Sequence, residues 1–553
     1  MHFYNQVIYQ IYPKSFYDSN GDGIGDLRGI IEKIPYLTQL TIDMIWLNPF
    51  FVSPQHDNGY DIADYKAIDP RMGTMDDFEE LVSRLKQHGI EIMLDMVFNH
   101  TSTEHKWFQR ALSGDPYYQS FYYIRPPKED GSLPNNWLSK FGGPAWEKFG
   151  ESENYYLHLY DKSQADLNWH NRNVRCELYK IINFWMEKGV KGFRFDVINV
   201  IGKDLQLQDA PPNTEGKFMY TDKPIVHHYL KEMNRASFGM LPDAITVGEM
   251  SSTTIANSVD YTNPDHNELS MVFNFHHLKV DYKDGEKWTK TRFDFLKLKQ
   301  VLDNWQRGMQ EGGGWNALFW NNHDQPRALN RFGDPGQYRV RSAKMLATVI
   351  HLLRGTPFIY MGEEIGMTDP DYVTIDDYVD IEAINAYHML VDKGYSKEDA
   401  FSIIQTKARD NSRTPMQWTD GSNGGFSTHT PWLRPTNCQT INVEKELKEG
   451  TIFAYYQKLI QLRKQNKVIA LGSYESLLRD HPAVYGYIRS YKGKKLVVLA
   501  NFFKQEAKVS LPDKLFQQPS AALISNCNRQ TMEKQMTLEP YEATAFILET
   551  EEE

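Results

Sequence analysis

Lys191-Gly192-Phe193-Arg194-Phe195-Asp196-Val197-Ile198-Asn199 alternates aromatic with charged side chains, the period of a short strand with two chemically different faces. Phe193 and Phe195 share the apolar face, Arg194 and Asp196 the other. A guanidinium two residues from a carboxylate keeps that acid ionised and oriented. Such a carboxylate at a strand end can act as a nucleophile, or it can be half of a structural ion pair. The rest of the chain decides between the two.

On either side the same grammar repeats. Val7–Pro13 reads as a first buried strand, Met44–Phe50 as a second and Glu91–His100 as a third. Between the last two, Thr74 and Asp77 cap a helix whose stripe of Phe78, Leu81, Val82 and Leu85 stops at Gly89. A helix with Leu178, Ile181, Ile182 and Trp185 ends at Gly189 and feeds the opening stretch as strand four. Ala244–Met250, Glu268–Phe275, Asn316–Asp324 and Pro357–Gly362 supply four more. Eight strands alternating with helices, polar residues at their carboxyl ends, predict an α/β fold built as a (β/α)8 (TIM) barrel.

Two stretches break this rhythm. Residues 101–169, rich in Tyr, Trp, Pro, Gly and Asn, are too long for a connection and read as a subdomain inserted after strand three. Beyond about Val468 the pattern is all-β, with Val484–Tyr491 and Leu496–Phe502 flanking the turn Lys492-Gly493. The expected division is barrel 1–100, insertion 101–169, barrel 170–467 and a C-terminal antiparallel β-domain 468–553, ending in the acidic run Glu551–Glu553.

Composition narrows the function. A chain of 553 residues with 41% hydrophobic content and net charge −11 is a multi-core globular protein poorly suited to nucleic acid. Twelve Trp and 32 Tyr are compatible with stacking on sugars, although aromatics also build cores. Cys176, Cys438 and Cys527 form neither a disulfide framework nor a metal spacing. No apolar run reaches 18 residues and no signal segment is visible, so a cytoplasmic location is expected, with no membrane contact and no obligate protein partner. The loop Asp18-Ser-Asn-Gly-Asp-Gly-Ile-Gly-Asp26 carries Asp18, Asn20, Asp22 and Asp26, with the Ile24 carbonyl a further oxygen. This is the spacing of a structural calcium loop, and equally that of an Asp/Asn/Gly turn. No organic cofactor is expected.

At the strand ends gather Asp95, Asn99, His100, Arg194, Asp196, Glu249, His323 and Asp324. Unpaired buried charges cost several kcal/mol each, so a purely structural cluster of this kind is disfavoured. The set fits retaining glycoside hydrolysis, which needs an ionised nucleophile and a protonated acid about 5–5.5 Å apart. Asp196 beside Arg194 suits the nucleophile; Glu249, on an otherwise apolar strand end, suits the acid.

Asp95-Met-Val-Phe-Asn-His100, Gln164-Ala-Asp-Leu-Asn168, Gly192-Phe-Arg-Phe-Asp196, Gly248-Glu249 and Asn322-His-Asp324 together resemble the sequence blocks of the α-amylase superfamily. The resemblance implies Asp196 as nucleophile, Glu249 as acid/base and Asp324 as a third carboxylate gripping sugar hydroxyls, with His100 and His323 on the same sugar. Asp57-Asn-Gly-Tyr-Asp61 and Arg409-Asp-Asn-Ser-Arg413 resemble the oligo-1,6-glucosidase branch, in which Asp57 and Arg413 would close the far end of the pocket, Tyr60 would stack on the ring and Asp18–Asp26 would be the calcium site. After strand six, His276, His277 and Lys279, with Lys287 further on, bring positive charge to the pocket mouth of an acidic protein. They are read as anchors for the phosphate of a phosphorylated disaccharide, or alternatively as a solvated loop. Two other readings stay open: an oligo-1,6-glucosidase acting on isomaltose, which Val197 fits equally well, and a non-catalytic transporter-associated member of the family.

Overall fold

Eight parallel strands occupy the centre of the chain: β1 (Ile8–Ile11), β2 (Met44–Leu47), β3 (Glu91–Met96), β4 (Gly192–Phe195), β5 (Ile245–Glu249), β6 (Met271–Phe273), β7 (Ala317–Leu318) and β8 (Thr356–Tyr360). The computed structural model describes residues 3–549, so the acidic run Glu551–Glu553 lies outside the described residues. The strands lie side by side in the order β6-β5-β4-β3-β2-β1-β8-β7. A parallel bridge between Val272 and Asn316 joins the two ends and closes the barrel. Every residue of β1, β2, β4, β5 and β8 is buried, because one side of each strand faces the barrel interior and the other the surrounding helices. Gly192 leaves β4 no room for a side chain at this position: a Cβ there would meet Met93 Cβ at 2.5 Å and Met44 Sδ at 2.9 Å.

The helix expected after β2 spans Met75–Gln87, with the Thr74–Asp77 capping box closed in both directions. The helix before β4 spans Arg172–Glu187 and buries Leu178, Ile181, Ile182 and Trp185. Each strand is shorter than the stretch its sequence pattern marks, most of all β6, with three residues, and β7, with two.

Within 101–169, Ile124–Arg125, Tyr155–Leu157 and Trp146–Lys148 form a three-stranded antiparallel sheet. The segment is tied to the barrel by Lys203, whose ammonium meets Asp166 at 2.8 Å and donates to Asn99 Oδ1 at 2.8 Å. At the C-terminus, Ser473–Leu477, Val484–Tyr491, Lys494–Asn501, Ala543–Glu549 and Ser520–Ser525 form a five-stranded antiparallel sheet. Lys492 and Gly493 both have positive φ, as a tight two-residue hairpin turn requires. Arg489 reaches from this sheet to the Leu352 carbonyl, and Tyr487 to that of Val349, so the sheet is clamped to the helix Arg339–Leu352.

Five buried histidines give the fold a defined response to acid. Burial lowers His100, pushes His105, His323 and His351 down to about 3, and His277 to about 4. They stay neutral while folded and take up protons on unfolding. Their contribution is therefore present above pH 6.5 and lost as pH falls below it, by up to about 1.4 kcal/mol per pH unit for each histidine. Denaturant melts between pH 7.5 and 5 should show this loss. His351→Phe, which can keep the contact with Tyr456 and removes two unpartnered ring nitrogens, should reduce the slope by one proton; an unchanged slope would exclude His351 as a contributor.

Candidate active site

The carboxyl ends of the strands surround a cavity of about 270 Å³. Strand register builds its floor. Arg194 on β4 is the direct neighbour of Asp95 on β3, so both side chains point into the barrel. Arg194 is fully buried and serves three carboxylates: Nη1 donates to Asp95 Oδ1 at 2.7 Å and to Asp196 Oδ1 at 2.8 Å, and Nη2 meets Glu249 Oε2. One rigid guanidinium fork thus holds Asp196 and Glu249 on its two nitrogens, which keeps their carboxylates within a few ångströms of each other. Asp95 is fixed further by Tyr60 (OH donating at 2.9 Å) and Trp46 (Nε1 at 3.3 Å). Asp196 and Glu249 are each 8% exposed, and both line the cavity. Val197, directly after Asp196, has φ of +36°, a left-handed conformation that costs a β-branched residue energy and turns the chain sharply beyond the carboxylate.

Asp324 enters from the loop after β7. Arg413 Nη2 donates to its Oδ1 at 2.8 Å, Arg409 Nη1 lies at 3.4 Å, and His323 Nε2 lies 3.3 Å from Oδ2. Burial works against its charge, but His323, Arg409, Arg413 and Arg194 outweigh burial and hold it well below the ordinary carboxylate range. Gln10 Nε2 donates to His323 Nδ1 at 3.0 Å, which leaves the Nε2 proton facing Asp324. His100 lines the cavity and its Nε2 donates to the Tyr60 carbonyl at 3.0 Å. The Tyr60 ring lines the cavity and stacks on His323 at 5.1 Å.

At one end Asp57 closes the space, and its cationic partner is Arg409 at 3.1 Å. The expected Asp57–Arg413 pair is therefore corrected to Asp57–Arg409; Arg413 instead grips Asp324 and the His323 carbonyl. Burial pushes Asp57 up to about 7, and Arg409 and Arg413 pull it back only in part. Arg409 also meets Asp380 at 2.5 Å and Glu382 at 3.4 Å, two acids the sequence pattern did not single out.

The expected phosphate anchors are separated by the structure. Lys279 lines the cavity. His276 and His277 are not among its lining residues: His277 is buried with Nε2 donating to the Phe319 carbonyl at 2.8 Å, and the His276 ring lies on Trp305, centroids 5.0 Å apart. Burial lowers both to about 4, so neither carries charge at neutral pH. Lys287 reaches the cavity, but its ammonium is held by both oxygens of Glu382 at 2.7 and 2.8 Å. The wall contains one further cation, Lys140 of the inserted segment, with Phe141 and Tyr160 beside it. Lys140 lies in the polar stretch Asn135–Gly143, but nothing in that spacing points it inward.

In the loop 18–26, Asp18 Oδ1 accepts the Asn20 and Gly21 amides, and Oδ2 accepts Gly23 N–H and the Ser427 hydroxyl. Asn20 and Asp22 each accept the amide two residues on. Asp26 caps the helix Leu27–Glu32 and holds Ser19 with both oxygens. No helix among the described residues is long and apolar enough to cross a membrane.

A closed barrel with three carboxylates at its mouth, two of them sharing one arginine, defines a class, and the chain belongs to the α-amylase family of glycoside hydrolases. The model "Alpha amylase, catalytic domain" matches residues 10–472, and that of the alpha-amylase SusG C-terminal domain matches 484–544. Over 547 residues the chain is 52% identical to trehalose-6-phosphate hydrolase of Bacillus subtilis (strain 168), covering 98% of this chain and 97% of that one. It is 46% identical over 552 residues to oligo-1,6-glucosidase of Parageobacillus thermoglucosidasius, covering 98% of each. The crystal structure of Bacillus licheniformis trehalose-6-phosphate hydrolase superposes with a TM-score of 0.95 at 50% identity, covering 99% of this chain and all of that one.

Proposed function

We propose that this enzyme hydrolyses α,α-trehalose 6-phosphate to glucose and glucose 6-phosphate with retention of anomeric configuration. Asp196 attacks the anomeric carbon of the unphosphorylated glucose while Glu249 gives its proton to the departing glycosidic oxygen, releasing glucose 6-phosphate. Glu249, now ionised, takes a proton from water, which attacks the same carbon and frees Asp196 and glucose. Arg194 orients both carboxylates, Asp324 and His100 face hydroxyls of the reacting sugar, His323 holds Asp324 from behind, and Tyr60 packs against the sugar ring. Asp57 and Arg409 close the far end, which restricts cleavage to a single terminal glucose.

The observation that carries the substrate is a cavity blocked at one end by Asp57–Arg409 and bearing, apart from that end, a lysine at position 279 that no carboxylate pairs among the described residues. The 52% identical relative supports the same reading. The test is kcat/KM on trehalose 6-phosphate beside trehalose and isomaltose. A preference of 10²-fold or more for the phosphorylated sugar is expected; equal or better turnover of isomaltose would replace this reading with an oligo-1,6-glucosidase.

We also propose that loop 18–26 holds a structural calcium ion. Its donors, the side chains of Asp18, Asn20, Asp22 and Asp26 and the Ile24 carbonyl, are all hard oxygens, the ligand type this cation selects. Bound calcium would stabilise the folded loop by mass action, about 2.7 kcal/mol at a hundredfold excess over Kd. Chelation should lower Tm by a few degrees in the parent and leave Asp18→Ala unaffected; a parent Tm indifferent to chelator and to added calcium would remove the ion from the loop.

A further inference from the structure

Two cavity-lining cations lack a carboxylate partner among the described residues. Arg409 and Lys287 are saturated by Asp57, Asp380 and Glu382, whereas the Lys279 ammonium has no ion pair and Lys140 has only the Ser251 hydroxyl, at 2.5 Å. Lys140 is positioned by a built loop. Its own N–H donates to the Leu159 carbonyl at 2.9 Å, Ser139 Oγ donates to the Tyr160 carbonyl at 2.7 Å, and Gly142 and Gly143 turn the chain with φ of +100° and +76°. The side chain passes the rings of Tyr160 and Tyr220, with the ammonium 5.5 and 6.0 Å from their centroids. Two cationic side chains facing one cavity repel each other, a cost that a bound dianion removes.

Resting on the proposed phosphodisaccharide reading, we infer that Lys140 is a phosphate-reading residue, exchanging its bond to Ser251 for one to a phosphate oxygen that Lys279 also faces. Burial, with Lys279, Lys217 and Lys203 nearby, brings Lys140 down to about 7, with Asp196 pulling the other way. An arriving phosphate therefore gains a charge-assisted bond and draws a full proton onto the amine. The exchange also joins the two halves of the site. Lys140 belongs to the inserted segment, whereas Ser251 follows Glu249 by two residues, and Asn199 holds its backbone N–H at 2.9 Å and its carbonyl at 3.0 Å. Phosphate bound here bridges the insertion to the loop that carries the proposed acid, so the anchor selects substrate where the leaving glucose departs.

The test compares kcat/KM for trehalose 6-phosphate and for trehalose in the parent, Lys140→Met, Lys140→Arg and Ser251→Ala, together with inhibition by glucose 6-phosphate. Lys140→Met should reduce the phosphorylated-to-plain ratio by about 30-fold and weaken glucose 6-phosphate inhibition in parallel, within the range of one hydrogen bond to a charged group. Lys140→Arg should recover most of the ratio. Ser251→Ala, which removes the competing hydroxyl, should keep or raise it. A Lys140→Met enzyme with the parent's ratio would overturn the assignment, as would Ser251→Ala losing the ratio while Lys140 is intact. A parent without phosphate preference would instead overturn the proposed function on which the assignment rests.

Discussion

Asp196→Asn is expected to lower kcat on trehalose 6-phosphate by about 10⁴-fold or more, because it removes the group that forms the covalent intermediate. The substitution is nearly isosteric, and Asn keeps an oxygen for Arg194 Nη1, so the loss should not come from unfolding. Arg194 retains Asp95 at 2.7 Å and Glu249 on its other nitrogen, leaving the buried guanidinium compensated. Tm should therefore move by a few degrees at most. A single-turnover assay sensitive to 10⁻⁵ of the parent rate, run beside a thermal melt, separates chemistry from folding. Turnover within tenfold of the parent would exclude Asp196 as the nucleophile. Glu249→Gln serves as a control: loss of an acid/base costs about 10²–10⁴-fold and should shrink on a substrate whose leaving group needs no proton.

What could be read in the sequence was what regular structure dictates. The alternation Phe193–Asp196 placed Arg194 and Asp196 on one face of a strand, and the register with β3 brings Arg194 to Asp95. Lys492-Gly493 marked a hairpin for an equally local reason. The site was legible wherever a residue stands at a strand end. It was not legible where chain direction is set by packing alone. His276, His277 and Lys279 belong to or follow a single 3-10 turn, Phe319 and Trp305 claim the two rings, and only the lysine is left facing the cavity. Arg409 and Arg413 stand four residues apart around the short helix Asp410–Arg413 and both reach Asp324. Which of them continues to Asp57 depends on the buried Asp380 and the half-buried Glu382, contributed by an earlier segment with no strand or barrel signal. Lys140 is the same problem in the inserted segment: its direction comes from its own N–H bond to Leu159 and from the bond of Ser139 to Tyr160, which no periodicity announces.

Arg409→Met should test how far the closed end depends on this one guanidinium. Arg409 contacts Asp57, Asp324, Asp380 and Glu382, and it is buried. With the arginine gone, Glu382 keeps Lys287 and Asp324 keeps Arg413, but Asp57 and Asp380 lose their nearest cation. Breaking a buried ion pair by removing one partner costs about 3–5 kcal/mol, so a clear drop in Tm is expected. The functional loss has a separate cause. Burial already raises Asp57 to about 7 with Arg409 in place; without that cation its carboxyl rises further, is protonated at neutral pH and no longer offers a charged acceptor to the terminal hydroxyls of the sugar. Losing one charged hydrogen bond and the fixed orientation of another predicts a fall in kcat/KM of about 10³-fold, carried mainly by KM. Arg409→Lys should not rescue it, because a single ammonium cannot serve Asp57 and Asp380 in the fork geometry that a guanidinium provides. The opened end should also admit a chain extended beyond the terminal glucose, so maltotriose should lose less activity than trehalose 6-phosphate. Equal losses on both substrates would mean that Arg409 supports the fold without limiting the length of the site.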